Sequence, residues 1–335
     1  MQTPKSTKTA LVTGATSGIG RELATLFARD GYDLILVARD REALEATGQL
    51  LQRQFGSTTL RIAQDLAQPN AAEQVFQETE RQGFQVDVLV NDAGIGEYGK
   101  FGTQSDLQKE LAMIQLNIST LVHLTKLYLP QMMARNEGKI LMLGSIASVV
   151  PNPMLAVYGA TKAFVYSFSA AVRDELKDTK VTITTLMPPP TNTNFFRRAG
   201  AGQTKAQDEA HATSPAEVAQ TGYEALLKGQ AKVAPRFKTK LLEAASHLLP
   251  DALVTNLASK QMQPRLQDPQ QKKKQTMQTT AMGAGAALLA AGGIWLAVRR
   301  RQKQRQAATP ASAPAAAPVA KKPELENEEP VAAAQ

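Results

Sequence analysis

Three residues in one short stretch have the types and spacing for proton-transfer chemistry. Ser145 is followed thirteen residues later by Tyr158, and Lys162 lies four residues further on. Positions i and i+4 of a helix share a face one turn apart, so a helix from residue 157 onward points Tyr158 and Lys162 into one cleft. A free tyrosine titrates at about pH 10 and is a poor acid or base at neutrality. A neighbouring ammonium favours the phenolate and lowers that value. The combination is a recipe for a general acid/base. Taken alone it reads first as a tyrosine and a lysine on the surface of a helix. It becomes a site only if the chain also supplies a cofactor site and a partner for Ser145.

A cofactor site is indicated near the start of the chain. Residues 9–13 read as a short buried strand. They run straight into Gly14, Thr16, Ser17, Gly18, Ile19 and Gly20, and a helical pattern follows at 21–29. Strand, glycine turn and helix form the setting in which backbone N–H groups and a helix N-terminus cradle a phosphate. A second apolar strand at 32–38 completes a strand–helix–strand unit. The alternation repeats, with helices at 41–54, 70–82, 105–135 and 157–177 and strands at 59–63, 86–90, 139–143 and 181–187. Continuously apolar strands mean a parallel sheet covered on both faces. The expected fold is therefore α/β, a single Rossmann-type doubly wound sheet of about seven strands with helices on both sides. Ligands in such sheets bind beyond the carboxyl ends of the strands. Asp65, Asn91, Ser145 and Pro188 all fall at those ends, so four distant segments are expected to meet in one crevice.

Beyond residue 187 a proline-rich and then polar, glycine-containing stretch runs to residue 212 and reads as a mobile segment over the site. Ser214, Pro215 and Glu217 supply the N-cap, first position and capping-box acid of a helix reaching about residue 227. A last strand at 231–234 and amphipathic helices at 238–249 and 251–262 close the domain.

Composition narrows the chemistry. The chain has no cysteine, so thiol nucleophiles, disulfides and cysteine metal sites are excluded. His123, His211 and His247 are far apart in sequence, and no metal site is expected. The net charge is +8, but twelve of the 38 Lys/Arg and six of the 30 Asp/Glu follow residue 250, leaving only +2 before it. A nucleic-acid-binding domain would carry its basic excess on the fold itself, so none is expected. The basic excess instead flanks an apolar run. Residues 279–298 contain no charge, and Lys272–Lys274 and Arg299–Arg301 stand on either side. As a helix that run spans about 30 Å, one hydrocarbon core. It reads as a transmembrane helix with Trp295 at an interface and small residues at four-residue spacing.

Together these motifs resemble the short-chain dehydrogenase/reductase family, in its compact oxidoreductase branch. The resemblance covers residues 8–250 and rests on Thr13-Gly14-x-x-x-Gly18-x-Gly20, Asn91-Asp92-Ala93-Gly94, Asn117, Ser145 and Tyr158-x-x-x-Lys162. It implies a catalytic tetrad. Tyr158 exchanges a proton with the substrate oxygen and Lys162 lowers its pKa while holding the nicotinamide ribose. Ser145 polarises the substrate oxygen, and Asn117 keeps a water in a proton relay. It further implies cofactor contacts from the glycine turn, Asp65 and Leu66, Asn91, Ala93 and Gly94, and Pro188, Thr191 and Thr193, and a homo-oligomer. Two departures are visible: Asp92 stands where the family usually has a second Asn, and Pro189 where it commonly has Gly.

Nineteen residues past Gly20, where NAD enzymes place an acid, stands Arg39. A guanidinium suits a 2′-phosphate, so NADP(H) is the expected cofactor, with Asp40 next in sequence arguing the other way. Val149, Val150, Met154, Leu155, Phe195 and Phe196 flank the site and suggest a lipophilic carbonyl or alcohol substrate. The domains expected are a catalytic domain at 1–250, a helical extension and basic linker at 251–278, the membrane helix at 279–298 and an Ala/Pro-rich tail at 299–335. No export signal is visible, which places the catalytic domain in the cytosol. The competing reading is a cofactor-binding sensor or membrane scaffold without turnover, and the intact tetrad argues against it.

Overall fold

The computed structural model describes residues 8–235 and 251–264. All of them belong to the first of two compact units, Met1–Arg265. Strands β1 (Thr9–Thr13), β2 (Asp33–Ala38), β3 (Thr59–Ala63), β4 (Val88–Asn91), β5 (Gly138–Leu143), β6 (Val181–Leu186) and β7 (Lys232–Val233) form one sheet. Its order is β3-β2-β1-β4-β5-β6-β7, with every neighbouring pair parallel. The chain adds strands outward from β1 in one direction, then returns to add β4 on its other side. The β1/β4 boundary is therefore the topological switch point, where a crevice opens at the strand ends.

The apolar runs split by alternation into two cores. Ala10, Val12, Leu34 and Leu36 face α1 (Gly18–Arg29), α2 (Arg41–Phe55) and α9 (Pro215–Leu227). Leu11, Ile35 and Val37 face α3 (Ala71–Arg81), α5 (Leu121–Arg135) and α6 (Ala156–Glu175). Successive side chains of a strand point to opposite faces, so a continuously apolar strand serves both layers.

Two stretches differ from the expectation. Residues 105–135 are not one regular helix: α4 (Leu107–Ile114) passes into a π-helical turn, Gln115–Thr120, before α5. The segment expected to be mobile holds two helices, α7 (Phe195–Arg198) and α8 (Lys205–His211). Phe196, Ala201, Ala206 and Ala210 form a small core of their own there. Small apolar residues spaced among polar ones hid that core from the sequence pattern. The C-terminal helix of the described residues, α10 (Asp251–Gln261), reaches back to this region. Ser214 caps α9 as expected, accepting from the Ala216 N–H. The expected helix at 238–249, the membrane helix at 279–298 and the tail lie outside the described residues. Among the described residues no helix is long and apolar enough to cross a membrane.

Candidate active site

A cleft opens at the switch point. Its walls come from the glycine turn after β1, the turn after β4, the loops after β5 and β6, and the start of α6. Gly14 and Gly18 have φ of +72° and +59°, a conformation that favours glycine. A Cβ on Gly18 would stand 3.0 Å from the Thr193 methyl. One on Gly20 would stand 2.5 Å from Asp92 Oδ2. The turn thus lies close against its neighbours and brings the N-terminus of α1 to the cleft.

Thr13, at the end of β1, locks this turn to the next. Its hydroxyl donates to the Val90 carbonyl at 3.1 Å and accepts from the Asp92 and Ala93 N–H groups, each at 3.0 Å. Asn91 is buried in the sheet and donates to the Thr125 hydroxyl at 3.2 Å. Asn117 sits in the π-helical turn, which redirects it towards the cleft floor. Its side chain accepts from the Ile95 N–H at 3.1 Å and donates to the Ile95 carbonyl at 3.0 Å and the Thr161 hydroxyl at 3.1 Å. A Cβ on Gly94 would be 3.3 Å from Asn117 Oδ1 and 3.5 Å from Lys162 Nζ, so the three meet beneath the cleft.

Tyr158 and Lys162 lie on α6 as the spacing predicts, but their electrostatics differ from the expectation. Burial pushes the Tyr158 hydroxyl up to about 12, and a hydrogen bond from Ser145 opposes that rise. Burial also brings Lys162 down to about 8, against the attraction of Asp92. The ammonium donates to the Leu143 carbonyl at 2.7 Å and stands 5.8 Å from the Tyr158 ring centre. Desolvation therefore sets the direction of the phenol's shift, and Lys162 is not among the groups that move it. Ser145 does two jobs. It caps the short turn Ile146–Ser148 through the Ala147 N–H at 3.1 Å, and it reaches Tyr158.

The cleft gathers Gly14, Ser17, Gly18, Ile19, Ala93, Gly94, Ser145, Tyr158, Pro188, Thr191 and Thr193. Asn117 and Lys162 lie buried behind it. Thr16, Gly20, Leu66 and Asn91 do not line it. Asp65 is also outside, and its carboxylate closes its own turn by accepting from the Ala67 N–H at 3.0 Å. Arg39 is exposed at the end of β2 and pairs with none of the described residues. Asp40 caps α2, accepting from the Ala43 N–H at 3.0 Å, so its carboxylate is engaged. Pro189 accepts the Thr191 hydroxyl at 2.7 Å.

Three of the six apolar flanking residues, Leu155, Phe195 and Phe196, line the cleft. Val149 and Val150 border a separate open hollow instead. Phe195 packs on Tyr158 with ring centres 4.9 Å apart. The sequence reading missed Ile95 and Met262. Met262 enters the wall because the Tyr98 hydroxyl donates to its carbonyl at 2.7 Å, a contact spanning 164 residues. No local pattern announces it.

The model of the short chain dehydrogenase family matches residues 8–204. Among curated relatives, a very-long-chain 3-oxoacyl-CoA reductase from Danio rerio is 36% identical over 188 residues, which are 55% of this chain and 58% of that protein. A probable NADP-dependent dehydrogenase from Haemophilus influenzae is 39% identical over 183 residues, covering 54% of this chain and 71% of that one. A solved short-chain dehydrogenase from Sphingobium yanoikuyae in complex with NADPH superposes with a TM-score of 0.64 at 28% identity, over 72% of this chain and 94% of the other.

Proposed function

The chain belongs to the short-chain dehydrogenase family, and from that premise we propose that it is an NADP(H)-dependent oxidoreductase interconverting an apolar carbonyl compound and its secondary alcohol. The observation that carries this is the placement of Tyr158 and Ser145 together in the wall of an apolar cleft whose far side is a glycine turn. The residues present fit the dinucleotide. The turn has the positive φ angles and close packing of a phosphate cradle, and Arg39, which pairs with none of the described residues, stands where a 2′-phosphate is read. The NADP named for the Haemophilus relative and the NADPH of the Sphingobium structure support the same choice.

Bound NADPH supplies the hydride. Tyr158 gives its hydroxyl proton to the substrate oxygen during reduction and takes it back during oxidation. Its high pKa in the fold keeps it protonated, the form that reduction requires. Ser145 donates to the same oxygen as charge develops there. Lys162 holds a positive charge behind Tyr158, and Asn117 fixes the Ile95 turn beside it. Ile95, Leu155, Phe195, Phe196 and Met262 give the substrate end its apolar character. That character, and the acyl substrate in the Danio relative's name, support a lipophilic ketone or fatty-acyl substrate. Attachment to a membrane through residues 279–298, with the catalytic domain on the cytosolic side, completes the proposal.

The test is a panel of long-chain ketones, aldehydes and 3-oxoacyl thioesters, followed by NADPH absorbance. Turnover of apolar substrates with NADPH ahead of NADH is expected. Equal use of NADH, or preference for sugars and polar keto acids, overturns the corresponding part of the proposal.

A further inference from the structure

Asp92 has no task in that reaction, yet it occupies the junction between the two halves of the site. It follows β4 and lines the cleft. The Gly20 N–H faces its carboxylate and favours the ionised form. Cβ atoms built on Gly20 and Gly14 would lie 2.5 and 2.9 Å from its Oδ2, so it packs directly against the glycine turn. Its Oδ1 is buried and has no hydrogen-bond partner among the described residues. A buried carboxylate oxygen without a donor is costly as an anion, and a proton removes that cost.

The groups facing Asp92 can be named element by element. From α6 comes the Lys162 ammonium, whose attraction favours the ionised form. From the turn after β1 and from α1 come Gly14 and Gly20, which bring backbone only. Burial outweighs Lys162 and raises the carboxyl to about 7. Near neutral pH the group is therefore divided between acid and carboxylate. The turn it supports is the one that holds the dinucleotide's diphosphate in the function proposed above. A second negative charge there disfavours the ionised carboxyl further.

We propose that Asp92 takes up a proton when NADP(H) binds, which links cofactor affinity to pH through one carboxyl. The inference rests on the NADP(H) reading. No electrons move: one solvent proton adds to a carboxylate oxygen, giving a neutral acid. The glycine turn then faces no like charge when the diphosphate arrives.

Titration calorimetry of the full chain with NADPH, in buffers of different ionisation heat, counts the protons exchanged on binding. At pH 7 the wild type is expected to take up about half a proton more than Asp92→Asn, because a carboxyl near its pKa is about half ionised. The 2′-phosphate titrates too, but equally in both proteins. Asparagine is the residue the family usually carries here, and Asp92→Ser serves as a second variant, with circular dichroism reporting the fold of each. Equal proton counts in wild type and both variants overturn the inference and leave the NADP(H) reading standing. Failure of the wild type to bind NADPH overturns both.

Discussion

Burial works on three ionisable side chains of the cleft at once. It raises Tyr158 and Asp92 and lowers Lys162. At neutral pH the tyrosine is therefore protonated, Asp92 is divided between acid and carboxylate, and Lys162 keeps most of its charge. Tyr158→Phe removes the proton donor and keeps the ring that packs on Phe195. We expect turnover to fall by about 10²–10⁴-fold, with NADPH affinity changing little, as read by steady-state kinetics beside a binding titration. Arg39→Ala removes a charged partner for the 2′-phosphate. NADPH affinity should weaken by roughly 10–100-fold while NADH affinity holds. Asp92 also bears on stability. Its folded pKa of about 7 lies above its unfolded value of 3.8, so the fold favours the neutral acid. Stability from this group is complete below pH 4, declines as pH rises, and is lost above pH 7. Asp92→Asn should flatten that slope and gain about 1–4 kcal/mol at pH 8. The gain falls at the lower end because Lys162 loses its counter-charge. Urea unfolding across pH 4–8 measures it, and parallel slopes for the two proteins would sink the prediction.

At the scale of elements, close contacts fix where the helices sit. Gly222 on α9 lies against Leu186 at the end of β6, where an added Cβ would come within 2.5 Å of the leucine Cδ2. Gly222→Ala should push α9 from the sheet and cost roughly 1–3 kcal/mol in denaturant unfolding. An unchanged midpoint would mean that Leu186 repacks freely. The regular elements were legible within a few residues because their signals are local: an apolar run, a glycine turn, a serine cap. The π-helical turn at Gln115–Thr120 was not. It adds one residue to a turn whose apolar pattern still reads as helix, yet it sets the direction of Asn117. The short helices α7 and α8 escaped for a related reason: a core of three alanines and one phenylalanine leaves almost no periodicity.

At the scale of the molecule, the C-terminal part of the described fold returns to the cleft. Lys205 N–H donates to the Gln263 carbonyl at 3.4 Å, and Thr204 pairs with Pro264 across an antiparallel bridge. Met262 thereby becomes part of the wall. A chain ended after residue 265 retains this closure, whereas one ended after residue 250 loses it. Both should bind NADPH. The shorter one should show a KM for long apolar substrates raised about 10-fold or more, since a few buried methylenes are worth roughly 1–3 kcal/mol. Flotation with phospholipid vesicles adds the membrane test: the full chain should float and the chain ended after 265 should not. Equal flotation would count against residues 279–298 as the anchor.

The sequence by itself determined the sheet, the glycine turn and the helix that sets Tyr158 one turn from Lys162. Each depends on periodicity or on conformations that few residue types adopt, and such information is local. The strand order made the carboxyl ends of β1, β4, β5 and β6 meet, and only the tertiary structure decided which named residues share that cleft. It brought Ile95 and Met262 in and kept Asp65 out. It also reversed the expected shift of Tyr158, because desolvation depends on what surrounds a side chain from every direction. Spacing can bring a lysine near a tyrosine, but it cannot tell how much water the fold leaves around them.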